Sequence, residues 1–257
     1  MRILCLHGKG TSGLVFQTQT ISLCHFIPKS LNIEYDFVDG PCRDAPAPGV
    51  DLFYPPPYYA FWKEATADEI SNARKWLSDH IAKSGPYDAV MTFSQGCALA
   101  SSFLLHHQKE HPDLPPPFKA AIFICGGPAL ADLKSLGFEI PAETIERDVT
   151  SGKLLAKQAD SSAILASGAD RWAGASGVTG TEEGWRSEIK GELKIEIPTV
   201  HVYGEKDPRY VAGVQLSGLC EESKRMTYNH GGGHEIPRKE EVSRTIAGLI
   251  VQALRQS

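Results

Sequence analysis

Four stretches of this chain are apolar, almost without interruption, over the length of one strand: RILCL at 2–6, AVMTF at 89–93, AAIFIC at 120–125 and TVHVY at 199–203. A strand with one face in water alternates apolar and polar residues. These four do not, so both of their faces must be covered. Between them lie segments of helical period. Ile70, Ala73, Leu77 and Ile81 mark a helix over about 66–82, and two more are expected over about 95–107 and 239–254. IEYDFV and KRMTYN read as two further strands. Short apolar strands alternating with helices predict an α/β fold, with a mostly parallel central sheet and helices on both faces. At 257 residues, 42% of them hydrophobic, residues 1–257 are expected to form one domain.

Two segments break the rhythm. APAPGVDLFYPPPYYAFW, at 45–62, is dense in proline, which fixes φ and removes backbone donors. It is expected to be a semi-rigid irregular loop. Residues 128–196 are rich in glycine and serine, charged in patches and only weakly periodic. Lying between two core strands, they are expected to leave the sheet as a small cap or lid.

The formal net charge is −5 and there is no long basic run, so nothing points to nucleic acid or to an anionic membrane. The apolar start is too short for a secretory signal, and no apolar stretch is long enough to cross a bilayer. The six cysteines form no CxxC pair, and Cys5, Cys97 and Cys125 sit inside apolar runs. They read as free thiols of a reducing compartment, and a cytoplasmic location is expected.

The chemistry collects at strand ends. In VMTFSQGCALA a strand runs into Ser94 and a helix starts at once. A sharp strand–turn–helix lifts a serine clear of the backbone, and the helix N-terminus favours developing negative charge. The G-x-S-x-G pattern is incomplete, because Thr92 takes the place of the first glycine. Taken alone, this stretch describes a helix-capping serine equally well. A nucleophilic alcohol also needs a base to take its proton. YNHGGGHEIP offers His234, beyond three glycines and before the last helix, with His230 read as structural. VYGEKDPRY offers Asp207 as the orienting acid, with Glu205 as runner-up. The order Ser94, Asp207, His234 is that of the α/β-hydrolases, with each group on a loop after a strand.

Acyl transfer further needs donors for an oxyanion. The backbone N–H of Gln95, after the serine, and that of Lys9, in the turn LHGKGTSG after the first strand, are the candidates. His7 reads as a hydrogen-bonded scaffold group. The turn has no Gly-Lys followed by Ser or Thr, so it is not read as a phosphate loop. His107 and His111 lack a third ligand and are not read as a metal site. The aromatic residues Phe53, Tyr54, Tyr58, Tyr59, Phe61 and Trp62 either pack the proline loop to the core or, some of them with Trp172 and Trp185, line an acyl pocket.

ILCLHGKGTSG, FVDGP, FYPPPYYAFW, GPYDAVMTFSQG, FICGGP, VHVYGEKDPRY and NHGGGHEIP, in this order along nearly the whole chain, resemble the fungal serine hydrolase family named after the yeast family-of-serine-hydrolases proteins, in the α/β-hydrolase superfamily. The resemblance implies carboxylesterase or thioesterase activity through Ser94, Asp207 and His234, with no cofactor and no metal. Some relatives act beside fungal polyketide synthases, so it also implies an acyl chain on a carrier protein as a substrate, in secondary metabolism. Thr92 departs from the family's usual glycine, and Cys97 stands where relatives often have alanine. Two alternatives use the same residues differently. One is an acyltransferase or cyclase in which the acyl-enzyme meets an acceptor other than water; the other is a catalytically weak, hydrolase-like binding protein.

Overall fold

The computed structural model describes residues 1–172 and 179–256, the side chains of Ser161 and Ala169 excepted. The chain runs β1 (Arg2–Leu6), α1 (Gly13–His25), β2 (Glu34–Val38), β3 (Cys42–Asp44), β4 (Tyr58–Ala60), α2 (Ala67–Ser84), β5 (Ala89–Phe93), α3 (Gln95–Glu110) and β6 (Ala120–Ile124). Then come α4 (Leu130–Ser135), α5 (Ala142–Gln158), α6 (Ser161–Ser167), α7 (Glu182–Arg186), β7 (Thr199–Tyr203), α8 (Tyr210–Gly218), β8 (Arg225–Asn229) and α9 (Glu240–Gln256).

Six strands form one parallel sheet in the order β2-β1-β5-β6-β7-β8. The uninterrupted apolar strands β1, β5, β6 and β7 are its four inner members. The more polar β2 and β8 are its edges, where one side meets water. Because side chains alternate along a strand, each inner strand feeds two cores. Leu4, Leu6, Val90 and Phe123 pack with α2 and α3, while Ile3, Cys5, Met91 and Ile122 pack with α1 and α9. Strand order reverses between β1 and β5, and such a reversal opens a crevice at the carboxyl edge of a parallel sheet.

The helix expected over 66–82 is α2. Its cap is legible: Thr66 Oγ1 accepts from the N–H of Glu69, and the Glu69 carboxylate accepts from the N–H groups of Lys63 and Glu64. Two helices have no counterpart in the periodicity. In α1 the buried stripe of Val15, Phe16, Thr20 and Leu23 is blurred by exposed Leu14 (68%) and Ile21 (61%). Helix α8 is buried on all sides from Val211 to Gly218, so it has no polar face to set a period. The expected irregular loop at 45–62 is partly a ribbon. Its far end, β4, pairs antiparallel with β3, and Tyr59 exchanges backbone bonds with Gly10 and Thr11. The prolines at 55–57 lie outside that pairing, which is why it can form. Residues between β6 and β7 carry helices α4 to α7, outside the sheet.

Among the described residues, no helix is long and apolar enough to cross a membrane.

Candidate active site

Ser94 sits between β5 and α3 with φ 51°, ψ −112°. A non-glycine residue there is held against its own steric preference, as expected of a residue whose side chain is forced outward. The turn is pinned on both sides. Ser94 N–H donates to Ile124 O, and Cys97 N–H donates to Ser94 O, each at 3.0 Å. Gly96 is required by a close approach: a Cβ on it would lie 2.4 Å from Leu6 O and 3.0 Å from His7 O.

Thr92 is fully buried without disturbing this turn. Its hydroxyl donates to Ile122 O at 2.8 Å and lies 3.2 Å from Cys97 Sγ. The threonine is therefore a fitted group with a partner for its polar atom. Replacing Thr92 with glycine is expected to lower stability by about 2 kcal/mol, through a void and a freer backbone, without lowering turnover. Urea unfolding beside ester hydrolysis checks this. A glycine variant that is faster, and as stable, would mean that the threonine impairs the elbow.

His234 and Asp207 come from the loops after β8 and β7. These loops run side by side, because His230 N–H donates to Tyr203 O and Lys206 N–H donates to Gly232 O. Gly231, at φ 72°, supplies the left-handed turn between them. Asp207 is 2% exposed. Its Oδ1 accepts from the N–H of Arg209 at 2.7 Å, the Asx turn that Asp-Pro-x favours. Its Oδ2 accepts from His234 Nδ1 at 2.7 Å. The carboxylate can only accept, so Nδ1 carries the proton and Nε2 is free to accept from Ser94 Oγ, at 3.0 Å. The three residues singled out in the sequence thus form one hydrogen-bonded line, with the imidazole as a base toward the serine hydroxyl.

Glu205 is turned away from the imidazole; its backbone N–H and its carboxylate both meet Asn229. His230 stays apart as well. Its Nδ1 accepts from Gly232 N–H, its Nε2 lies 3.6 Å from Cys125 Sγ, and burial pushes its pKa down to about 4, against the pull of the Asp207 charge. It remains neutral and holds the glycine turn.

The turn after β1 approaches the elbow closely, since a Cβ on Gly8 would stand 3.2 Å from Ser94 Cβ. His7 Nε2 accepts from the N–H of Gly40 at 2.9 Å, so Nδ1 carries the proton and donates to Gly8 O at 2.7 Å. Thr11 Oγ1 donates to the same carbonyl at 2.6 Å. Burial also lowers the His7 pKa, which keeps this neutral tautomer. A trans peptide points its C=O and N–H in opposite directions. With the Gly8 carbonyl held by His7 and Thr11, the Lys9 N–H is turned away from them. Lys9 lines the same cavity as Ser94. The Gln95 N–H leads helix α3, where the first donors have no partner within the helix.

The sequence reading gave Gln95 a backbone role only. Its side chain has a second one: Oε1 accepts from Phe61 N–H at 2.9 Å and Nε2 donates to Trp62 O at 2.8 Å. The end of the aromatic segment is thereby clasped to the elbow. Thr11 was not singled out in the sequence, although a hydroxyl three residues beyond a turn carbonyl is the signal that marks it. The clasp by Gln95 spans more than thirty residues and left no local signal.

The aromatic residues divide. Phe53 (71% exposed), Tyr54 and Trp172 line a cavity of about 920 Å³ that contains Ser94 and His234. Trp62 lines a second cavity of about 460 Å³ that also contains Ser94 and His234. Tyr58 and Tyr59 do not reach either cavity, contrary to the pocket expectation. The short β4 faces Tyr58 inward, with its hydroxyl on Tyr54 O, and sets the Tyr59 ring beneath the Arg43 guanidinium. Trp185 is likewise elsewhere, buried against Tyr210.

A family model described as Serine hydrolase (FSH1) matches residues 1–246. The chain belongs to the FSH1 serine hydrolase family. This FSH1-family chain is 30% identical to Esterase FPY3 of Fusarium mangiferae, over 99% of each chain. It is 28% identical to Hydrolase FUB4 of Fusarium oxysporum f. sp. lycopersici, over 99% of this chain and 98% of that one. Two solved structures share its fold at low identity. One is a Bacillus cereus carboxylesterase, with TM-score 0.54, 12% identity, and 98% and 87% of the two chains covered. The other is Zea mays acyl-protein thioesterase 2, with TM-score 0.52, 18% identity, and 98% and 93% covered. The fold of this FSH1-family protein is that of the α/β-hydrolases.

Proposed function

We propose that this serine hydrolase cleaves an acyl ester or thioester through an acyl-enzyme on Ser94. The observation that carries the reading is the continuous line Asp207–His234–Ser94, at 2.7 and 3.0 Å, with the serine on a strained elbow. His234 Nε2 takes the Ser94 proton as Oγ attacks the carbonyl carbon. The resulting oxyanion is met by the N–H groups of Lys9 and Gln95. Collapse expels the thiol or alcohol, which takes the proton back from His234. Water, deprotonated by the same imidazole, then attacks the acyl-enzyme; the acyl–Oγ bond breaks, the acid leaves, and Ser94 Oγ takes the proton back from His234. Asp207 holds the Nδ1–H tautomer and balances the imidazolium. Every proton is handled by these side chains, so the reaction as written uses no cofactor and no metal.

The finer reading is an acyl chain delivered as a thioester by a carrier protein, in secondary metabolism. Its support is the lining of the larger cavity, where among the described residues Lys9, Arg171, Arg238 and Lys239 outnumber the carboxylates Asp44 and Glu235, on a chain of net charge −5. Such a lining suits an acidic carrier. Residues 128–196 act as the cap in this reading, since α5 and α6 wall that cavity. The buried thiols Cys5, Cys97, Cys125 and Cys220 suit a reducing compartment, and we assign the protein to the cytoplasm.

The test is labelling with a fluorophosphonate, which needs an activated serine. The adduct is expected on Ser94 and is expected to vanish in His234→Ala. A folded protein that stays unlabelled would sink the reading. A second test concerns the oxyanion donors. Gly96→Ala would push on Leu6 and His7, immediately before the Lys9 turn. It is expected to lower kcat by about 10²–10³, as losing one oxyanion donor does, and to destabilise by about 1–3 kcal/mol. Thermal unfolding and ester kinetics on one preparation separate the two effects. Full turnover would show that the β1 turn takes no part.

A further inference from the structure

Two cavities meet at the Ser94–His234 pair. The larger, about 920 Å³, and the smaller, about 460 Å³, share Ser94, His234, Lys9 and Leu155 in their walls. Helix α5 lines both along one face. Ile145, Asp148 and Val149 in its first half border the smaller cavity, and Gly152 and Ala156 in its second half border the larger. The helix is held in place. Arg209, two residues past Asp207, donates from Nη1 to Asp148 O at 2.7 Å and to Ser151 Oγ at 3.0 Å. It also donates from Nη2 to Asp148 Oδ1 at 2.6 Å. The loop that carries the acid therefore also anchors the helix that lines both cavities.

A carbonyl carbon attacked by Ser94 has two substituents besides its oxygen: the acyl group and the leaving group. With the oxygen held at the Lys9 and Gln95 N–H groups, tetrahedral geometry sends the other two in different directions. A substrate with one small arm, such as an acetyl or methyl ester, fills one cavity and leaves the other to water. Trp62, Ile70, Ala98 and Leu130 give the smaller cavity a hydrocarbon wall; of its charged residues Arg209 and Asp148 satisfy each other, Lys9 Nζ donates to Lys63 O, and Lys134 is exposed to solvent. It therefore favours an apolar group over a charged one.

We propose that the substrate is an ester or thioester with an extended group on each side of the scissile carbonyl, one per cavity, and that the arm in the smaller cavity is apolar. The proposal rests on Ser94 as nucleophile. The test uses two ester series, one lengthening the acyl group from acetyl to decanoyl on a methyl ester, the other lengthening the alcohol from methyl to decyl on an acetate. Val149→Trp narrows the smaller cavity and Ala156→Trp the larger, two turns apart on one helix. Each is expected to cut kcat/KM for the long members of one series by about tenfold or more, and each a different series, because a pocket discriminates by about tenfold or more per lost methylene site. Both variants acting on the same series, or Val149→Trp sparing both, overturns the proposal. Labelling by a small fluorophosphonate, which needs neither cavity, reports on the serine in each variant. Where Val149→Trp fails to label, Ala131→Trp from the opposite wall gives the same readout. Hydrolysis that survives in Ser94→Ala would instead remove the nucleophile assignment itself, a distinct failure.

Discussion

Ser94→Ala is expected to lower ester turnover by on the order of 10⁶ while the protein stays folded. Among the described residues the Ser94 hydroxyl has one partner, His234 Nε2, so truncation removes the reacting oxygen and one partly exposed hydrogen bond. The backbone that shapes the elbow keeps its bonds to Ile124 and Cys97. What remains is the rate that the oxyanion donors and binding supply alone, about 10³–10⁴ over water in related triads. A control comes from the backbone. Position 94 has φ 51°, a conformation that glycine adopts freely and alanine does not. Ser94→Gly is therefore expected to be as inactive as Ser94→Ala but more stable, by about 1 kcal/mol. Kinetics with thermal unfolding on both variants checks this. Retained turnover in either variant contradicts the nucleophile, and a glycine variant that is less stable contradicts strain at the elbow.

Strain at one residue also explains why the elbow alone is ambiguous in the sequence. TFSQG states that a strand ends and a helix begins, but not that Ser94 takes positive φ; that follows from Ile124, Cys97 and the β1 carbonyls closing around it. The inner strands were legible because both faces of each are buried, and burial writes itself as an apolar run. Asp207 and His234 were legible for another reason. A glycine turn after a strand marks a loop at the carboxyl edge, and the chain order of the three groups matches a known arrangement. The pocket was less legible. Tyr58, Tyr59 and Phe53 are alike in composition, but a three-residue ribbon decides which face the crevice, and that pairing depends on β3, sixteen residues earlier in the chain. Helix α8 was hidden because complete burial erases the polar face on which periodicity depends.

Asp207→Asn is expected to lower kcat by about 10⁴ without displacing any atom of the site, and the direction follows from the two partners of the carboxylate. Oδ1 accepts from the backbone N–H of Arg209, a donor that tolerates only an acceptor. An asparagine must therefore keep its carbonyl oxygen toward Arg209 and turn its NH₂ toward His234. The amide then donates to Nδ1 where the carboxylate accepted. The imidazole proton moves to Nε2 and faces the Ser94 hydroxyl, so the base has no lone pair for the proton it must take. The negative charge that balances the imidazolium is lost in the same step. Glu205→Gln, two residues past the end of β7 but bonded to Asn229, is expected to leave kcat unchanged. Steady-state kinetics on the pair decides the assignment. A large loss in the glutamine variant, or a small one in the asparagine variant, would give the orienting role to the other acid. Fluorophosphonate labelling should slow in Asp207→Asn alone, because attack on phosphorus draws on the same imidazole lone pair.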